Sequence, residues 1–179
     1  PLVGDPMIRT SFRNIFGYAL AASSRFDEAL RLMTEQLEDA ERCRIDFAIP
    51  YALVTQALVY TGRREYQHAL DLLTTADERA EHANDNSAIS VSAAVRIRAY
   101  IAQADFEAAL APAINIALDS PRSLRAEVTA CRAVALAGAG HFERAASLAR
   151  DALESVGVEA TICGRATKAV IALRQGQHG

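Results

Sequence analysis

The chain has 179 residues, of which 51% are hydrophobic and 23% charged, so it can bury a substantial interior and is not a disordered polymer. Its formal charge of −3 supplies no basic face for a phosphate backbone. No apolar run reaches the length of a membrane span, and no signal peptide is visible. High alanine content with no Trp, 5 Pro and 9 Gly favours closely packed helices. Cys43, Cys131 and Cys163 lie far apart in the sequence and match neither a disulfide framework nor a CxxC metal site, which makes a reducing cytoplasm the expected setting. The chain opens at Pro1 without methionine and closes on Gln175-Gly176-Gln177-His178-Gly179, so it reads as a fragment of a larger protein.

In chain order, Pro6 is placed to start a helix, and Ile8, Phe12, Ile15, Phe16, Ala19 and Leu20 recur at helical spacing from Met7 to Ala22. A second helix is expected from Phe26 to Arg42, with Ala29, Leu30, Met33 and Leu37 on one stripe and Asp27–Arg31 and Glu38–Arg42 as i,i+4 ion pairs. Asp46 is the expected cap of the third helix, with Pro50 in its first turn. The fourth runs from Tyr66 to His82, ending at Asn84-Asp85-Asn86, and the fifth from Ala88 to Ala102. A sixth, Phe106 to Leu118, contains Pro112, which should kink or shorten it. Ser123 to Ala137, His141 to Ser155 and an unpaired Glu159 to Arg174 complete nine helices, and nothing alternates with period 2.

One short pattern recurs four times: Phe26-Asp27-Glu28-Ala29-Leu30, Tyr66-Gln67-His68-Ala69-Leu70, Phe106-Glu107-Ala108-Ala109-Leu110 and Phe142-Glu143-Arg144-Ala145-Ala146. The aromatic residues are 40, 40 and 36 positions apart. The acids vary while the aromatic and the alanine three later persist, so the pattern serves packing: the aromatic wedges under a neighbouring helix pair, and the alanine permits close approach. Nine positions before each aromatic stand Gly17, Ala57, Ile97 and Ala133, mostly small. Spacing of this kind marks an array of helix pairs. The expected fold is therefore an all-α, TPR-like αα-superhelix (solenoid) of about four helix pairs, with units at 7–44, 46–84, 87–119 and 122–157, plus a capping helix at 159–174, all in one domain.

The order of small residue, Leu or aromatic six before the wedge (Leu20, Tyr60, Tyr100, Leu136), wedge aromatic and alanine resembles the tetratricopeptide repeat, although the leading Trp of that motif is absent. With its longer period, and with Arg9-Thr10-Ser11-Phe12, Arg25 to Leu30 and Asp46 to Leu53, the chain resembles the helical-array region of the large ATP-binding LuxR-type transcriptional regulators, the class of the maltose-regulon activator. The resemblance implies an ATPase module before the array and a helix-turn-helix after it. It also implies that the array senses a partner or effector and passes its state to both neighbours.

Within the chain there is no G-x-x-x-x-G-K-[ST], so no ATP site or other cofactor is expected. Ala133 to Leu153 could be read as a helix-turn-helix, but Glu143, Asp151 and Glu154 offset Arg144 and Arg150, which disfavours phosphate contact. His68, His82, His141 and His178 fall in different units without metal-ligand spacing, and Glu35, Glu38 and Asp39 read as a solvated face. No metal, catalytic residue or enzymatic activity is expected.

The repeat alignment places Asn14, Tyr18, Tyr51, Leu58, Arg98 and Glu127 on a concave, largely apolar groove, along with Val54, Val91, Ala94, Ala130 and Val134; Arg165 and Lys168 of the last helix are added to it. Such a groove suits a partner protein domain or a hydrophobic or anionic small-molecule effector, with Arg98 as the anchor for a carboxylate or phosphate. The plainer readings are an internal Arg98–Glu127 salt bridge and tyrosines that only pack. The expected protein is thus a non-catalytic regulatory array, with a general protein-interaction scaffold as the alternative and homodimerisation through apolar ends as a further possibility.

Overall fold

The computed structural model describes residues 5–111, 121–154 and 158–176. Among them every regular element is helical: α1 (Pro6–Ala22), α2 (Phe26–Cys43), α3 (Ala48–Gly62), α4 (Tyr66–Ala83), α5 (Asn86–Ala102), α6 (Phe106–Ala109), α7 (Arg122–Gly138), α8 (Phe142–Glu154) and α9 (Val158–Arg174). No helix among the described residues is long and apolar enough to cross a membrane. Contacts divide the chain into two compact units, Pro1–Val95 and Arg96–Gly179.

The turns carry a stricter period than the sequence pattern reveals. Left-handed backbone occurs at Ser24, Arg44, Arg64, Asn84 and Ala104, one every 20 residues, and again at Gly140. At each, the following N–H reaches back five residues to a helix carbonyl: Arg25 to Leu20 (2.9 Å), Ile45 to Ala40 (2.8 Å), Glu65 to Tyr60 (2.9 Å), Asp85 to Ala80 (2.9 Å), Asp105 to Tyr100 (2.9 Å) and His141 to Leu136 (2.8 Å). This closure satisfies a carbonyl that the helix end would otherwise leave unpaired. The residue six before each wedge aromatic, Leu20, Tyr60, Tyr100 or Leu136, is the one whose backbone carbonyl accepts this bond.

In the first unit, α1 packs on α2 and α3, and α3 packs in turn on α2 and α4. Surrounded on several sides, α3 buries nine residues, including Ala52, Leu53, Val54, Ala57 and Val59, and is apolar all round for that reason. Small residues set the spacing. A Cβ on Gly17 would lie 2.4 Å from Met33 Cε, and one on Gly62 would lie 2.5 Å from Phe26 Cζ. The second unit repeats the latter contact: a Cβ on Gly138 would lie 2.3 Å from Phe106 Cε1. The wedge expected of the aromatic is therefore present, with the Phe26 ring on α3 and the Phe106 ring on α7. The alanine three residues later, at Ala29, Ala69, Ala109 and Ala145, is 0% exposed in every copy.

Several local expectations are corrected. The apolar stripe of α1 is divided: Ile8, Phe12, Ile15, Phe16 and Ala19 are exposed, whereas Leu20 is buried with Thr10, Gly17 and Ala21 against α2 and α3. Asp27 pairs across helices with Arg63, and Arg42 pairs with Asp39 at i,i+3, in place of the expected i,i+4 partners. Asp39 also meets Arg13 at 2.6 Å and Arg9 at 3.5 Å, which ties α2 to α1. The Asp46 side chain does not cap α3; Asp85 instead caps the start of α5, accepting from Ala88 N–H at 3.0 Å. The described part of the sixth helix ends at Ala109, and the rest of that expected helix, 112–118, lies outside the described residues. Pro112 has no N–H to give the Ala108 carbonyl and disfavours helical backbone at Ala111, so the ladder stops short of it.

Candidate functional site

All six predicted site residues, Asn14, Tyr18, Tyr51, Leu58, Arg98 and Glu127, are half-buried. In the first unit Leu58 packs against the core on both sides of α3. The Tyr51 hydroxyl donates to Asp85 Oδ1 at 3.3 Å, and burial followed by the Asp85 charge pushes its pKa upward, so it stays a neutral phenol. Asn14 Oδ1 is buried without a hydrogen-bond partner among the described residues. Val54, Ala94 and Ala130 are fully buried and line no surface, while Arg165 and Lys168 are exposed. Their burial follows from the close helix approach that their small or compact side chains permit.

The second unit brings together a constellation that the sequence reading did not assemble. Arg98 on α5 places Nη2 2.6 Å from Glu127 Oε1 on α7, with side-chain exposures of 23% and 13%. This is the internal pairing that the sequence offered beside the anchoring role. One turn beyond Glu127, on the same face of α7, stands Cys131, whose Sγ lies 3.9 Å from Cys163 Sγ on α9. Both thiols are free. They meet because Ala130 on α7, Ala152 on α8 and Ala160 on α9 form a small-residue contact with Ala126 and Cys163 at its edge. Gly164 lets α9 settle on α8, since a Cβ there would lie 3.0 Å from Leu153 Cγ and 3.2 Å from the Ala149 carbonyl oxygen.

The two sulfurs are unequal. Cys131 is 1% exposed, and the hydrogen bond with Cys163 and burial together hold its pKa well above the usual thiol range. Cys163 is half-buried, and its pKa is drawn down to about 7. The leading cause is the hydrogen bond from Cys131, and burial opposes it; the Arg98 guanidinium also lowers it, while Glu127 opposes. Burial and the bond to Cys163 thus favour the protonated form of Cys131, while the Cys131 bond and the Arg98 charge favour the thiolate form of Cys163.

A period of 36 to 40 places position 167 or 171, not 163, opposite Cys131, so the sequence alignment hid the pair. In the structure the sulfurs meet 32 residues apart, about one helical turn short of the 36-residue offset between α7 and α9. A second feature absent from the sequence reading is a cleft of about 540 Å³ where Arg132, His141 and Arg144 stand among Leu110, Leu136 and Leu148, with Glu107 at its edge. No group of three or more His, Cys, Asp or Glu side chains among the described residues is placed to hold a metal ion. Comparison with protein-family models, with curated proteins and with solved structures finds no match.

Proposed function

We propose that the chain is a non-catalytic binding module built of TPR-like helix pairs, acting in the cytoplasm as the sensing array of a LuxR-type transcriptional regulator. The observation that carries the binding role is the outer face of α1. Ile8, Phe12, Ile15 and Phe16 follow one helical face and are exposed by 50%, 57%, 74% and 45%, with the two Phe rings stacked at a centroid distance of 6.0 Å. A contiguous apolar face of this kind on a charged, alanine-rich chain supports a protein partner that covers it. Aromatic residues at its centre are the side chains that dominate such contacts. The repeat of a left-handed turn every 20 residues supports the array architecture, because it ends successive helices at a regular interval.

For a small effector, the cleft lined by Arg132, His141 and Arg144 beside leucines has the composition that a hydrophobic anion requires. The link to transcription rests on the resemblance of Arg25 to Leu30 and Asp46 to Leu53 to that family. It is tested by the parent gene, which must encode a phosphate-binding loop upstream and a helix-turn-helix downstream; a gene with neither leaves the general interaction scaffold. The binding role is tested by light scattering and native mass spectrometry of the purified chain. A complex or homodimer that a Phe12→Ser, Ile15→Ser double variant dissolves, with helix content unchanged, supports the reading. A monomer without bound partner, whose solubility the double variant leaves unchanged, overturns the role of this face.

A further inference from the structure

We propose that Cys163 and Cys131 form a reversible thiol-modification site, at which a hydroperoxide oxidises Cys163 and Cys131 then closes a disulfide between α9 and α7. The inference stands on geometry and does not depend on the binding role. The sulfurs are already 3.9 Å apart, in van der Waals contact, and a bond requires them to close to about 2.05 Å. Their exposures assign the roles. The oxidant must reach the first sulfur, and Cys163 is half-exposed; the resolving sulfur needs only its neighbour, and Cys131 is 1% exposed. Arg98, held by Glu127 at 2.6 Å, sets a guanidinium beside the Cys163 sulfur, where it favours thiolate over thiol and stabilises the alkoxide or hydroxide that leaves. The charged groups facing the pair are thus Arg98 from α5 and Glu127 from α7, one of each sign.

The reaction balances without further reactants. Cys163 thiolate attacks one oxygen of the hydroperoxide, the O–O bond breaks, and a sulfenic acid forms with release of water or alcohol after protonation. Cys131 gives up its proton and attacks the sulfenic sulfur; the S–S bond forms, the S–O bond breaks, and water leaves. Two thiols lose two electrons and two protons in total, and the hydroperoxide gains them. A dithiol reductant reverses the bond by exchange. The consequence is a covalent tie between two helices that otherwise meet through Ala130, Ala160 and Cys163.

The test uses the full chain carrying Cys43→Ser, which removes the exposed third thiol. The protein is treated with hydrogen peroxide, alkylated after denaturation, and digested with trypsin. The expected product links the peptide 126–132, which holds Cys131, to the peptide 151–165, which holds Cys163, with the loss of two hydrogens. Dithiothreitol restores both thiols. In the Cys131→Ser variant dimedone should trap a sulfenic acid at Cys163, whereas in Cys163→Ser the remaining Cys131 should be labelled at least about tenfold less, as its burial requires. Absence of the linked peptide at peroxide doses that oxidise Cys43 in the parent chain would overturn the proposal. So would equal dimedone labelling of Cys131 and Cys163 in the two variants. The linked-peptide result is read in otherwise native protein and holds even if a serine variant misfolds.

Discussion

The contact between Phe26 and Gly62 is the sharpest place to test the packing account, since it joins the repeat motif to its structural purpose. Gly62→Ala would ordinarily stabilise a helix by up to about 1 kcal/mol, less at this terminal position. Here the added Cβ would stand 2.5, 2.9 and 3.3 Å from Phe26 Cζ, Cε1 and Cε2, inside the separation carbon atoms tolerate. Phe26 is half-buried, so its ring can yield outward, but it then gives up part of its contact with α3. Overpacking of this kind costs roughly 1–3 kcal/mol, and after the propensity gain a net loss of about 1–2 kcal/mol is expected. The effect should reverse when the ring is made smaller: in Phe26→Leu the alanine finds room, so the double variant should be more stable than the sum of the single losses by at least about 1 kcal/mol. Urea unfolding followed by far-ultraviolet circular dichroism measures all four proteins, and a shift of midpoint at constant slope marks a change of stability alone. Additivity within about 0.5 kcal/mol, or a stabilising Gly62→Ala, would refute the wedge.

Other expectations follow from the turns and the thiols. Ala104 holds a left-handed φ of 59° without the freedom of glycine, so Ala104→Gly should raise stability by up to about 1 kcal/mol, while Gly140→Ala, at φ 88°, should lower it by about 1 kcal/mol despite open space around it. Thermal melts of the two variants should move in opposite directions. Ala69 is 0% exposed, and Ala69→Leu should cost roughly 1–3 kcal/mol in the same urea assay. Alkylation of Cys163 should rise through pH about 7, and Arg98→Gln should move that midpoint upward while Glu127→Gln moves it downward, since Arg98 lowers and Glu127 raises the thiol pKa. The lowered Cys163 pKa contributes stability that is present above the unfolded thiol value of about 8.5 and lost as pH falls through about 7. The raised Cys131 pKa contributes stability that is present below about 8.5 and lost as pH rises further. The Tm of the reduced protein should therefore pass through a maximum between these limits, and a melt series across pH 6–10 checks it.

Sequence alone determined the helices and the residues that space them. Aromatic and alanine positions recur because helix pairs need a wedge and a point of close approach, and both requirements act through residues local to one helix. The ends of α2, α4 and α9 fall within a residue or two of their expected places for the same reason. The left-handed turns were legible at Asn84 and Gly140, where the residue type declares the backbone, but not at Ser24, Arg44, Arg64 or Ala104, where the six-residue closure imposes the conformation on residues that do not favour it.

Which face of an apolar helix is buried is decided by what packs on it, not by its own pattern. α1 displays a clean hydrophobic stripe, yet it buries Thr10 and Gly17 because α2 and α3 approach from that side. The candidate site shows the same division. Arg98 and Glu127 were recognisable as partners, since charge complementarity survives an alignment error of a few residues. Cys131 and Cys163 were not, because two thiols must meet within a few ångströms, and whether they do depends on the step between α7 and α9. That step is set by Ala130, Ala160 and Gly164 only once the helices have packed.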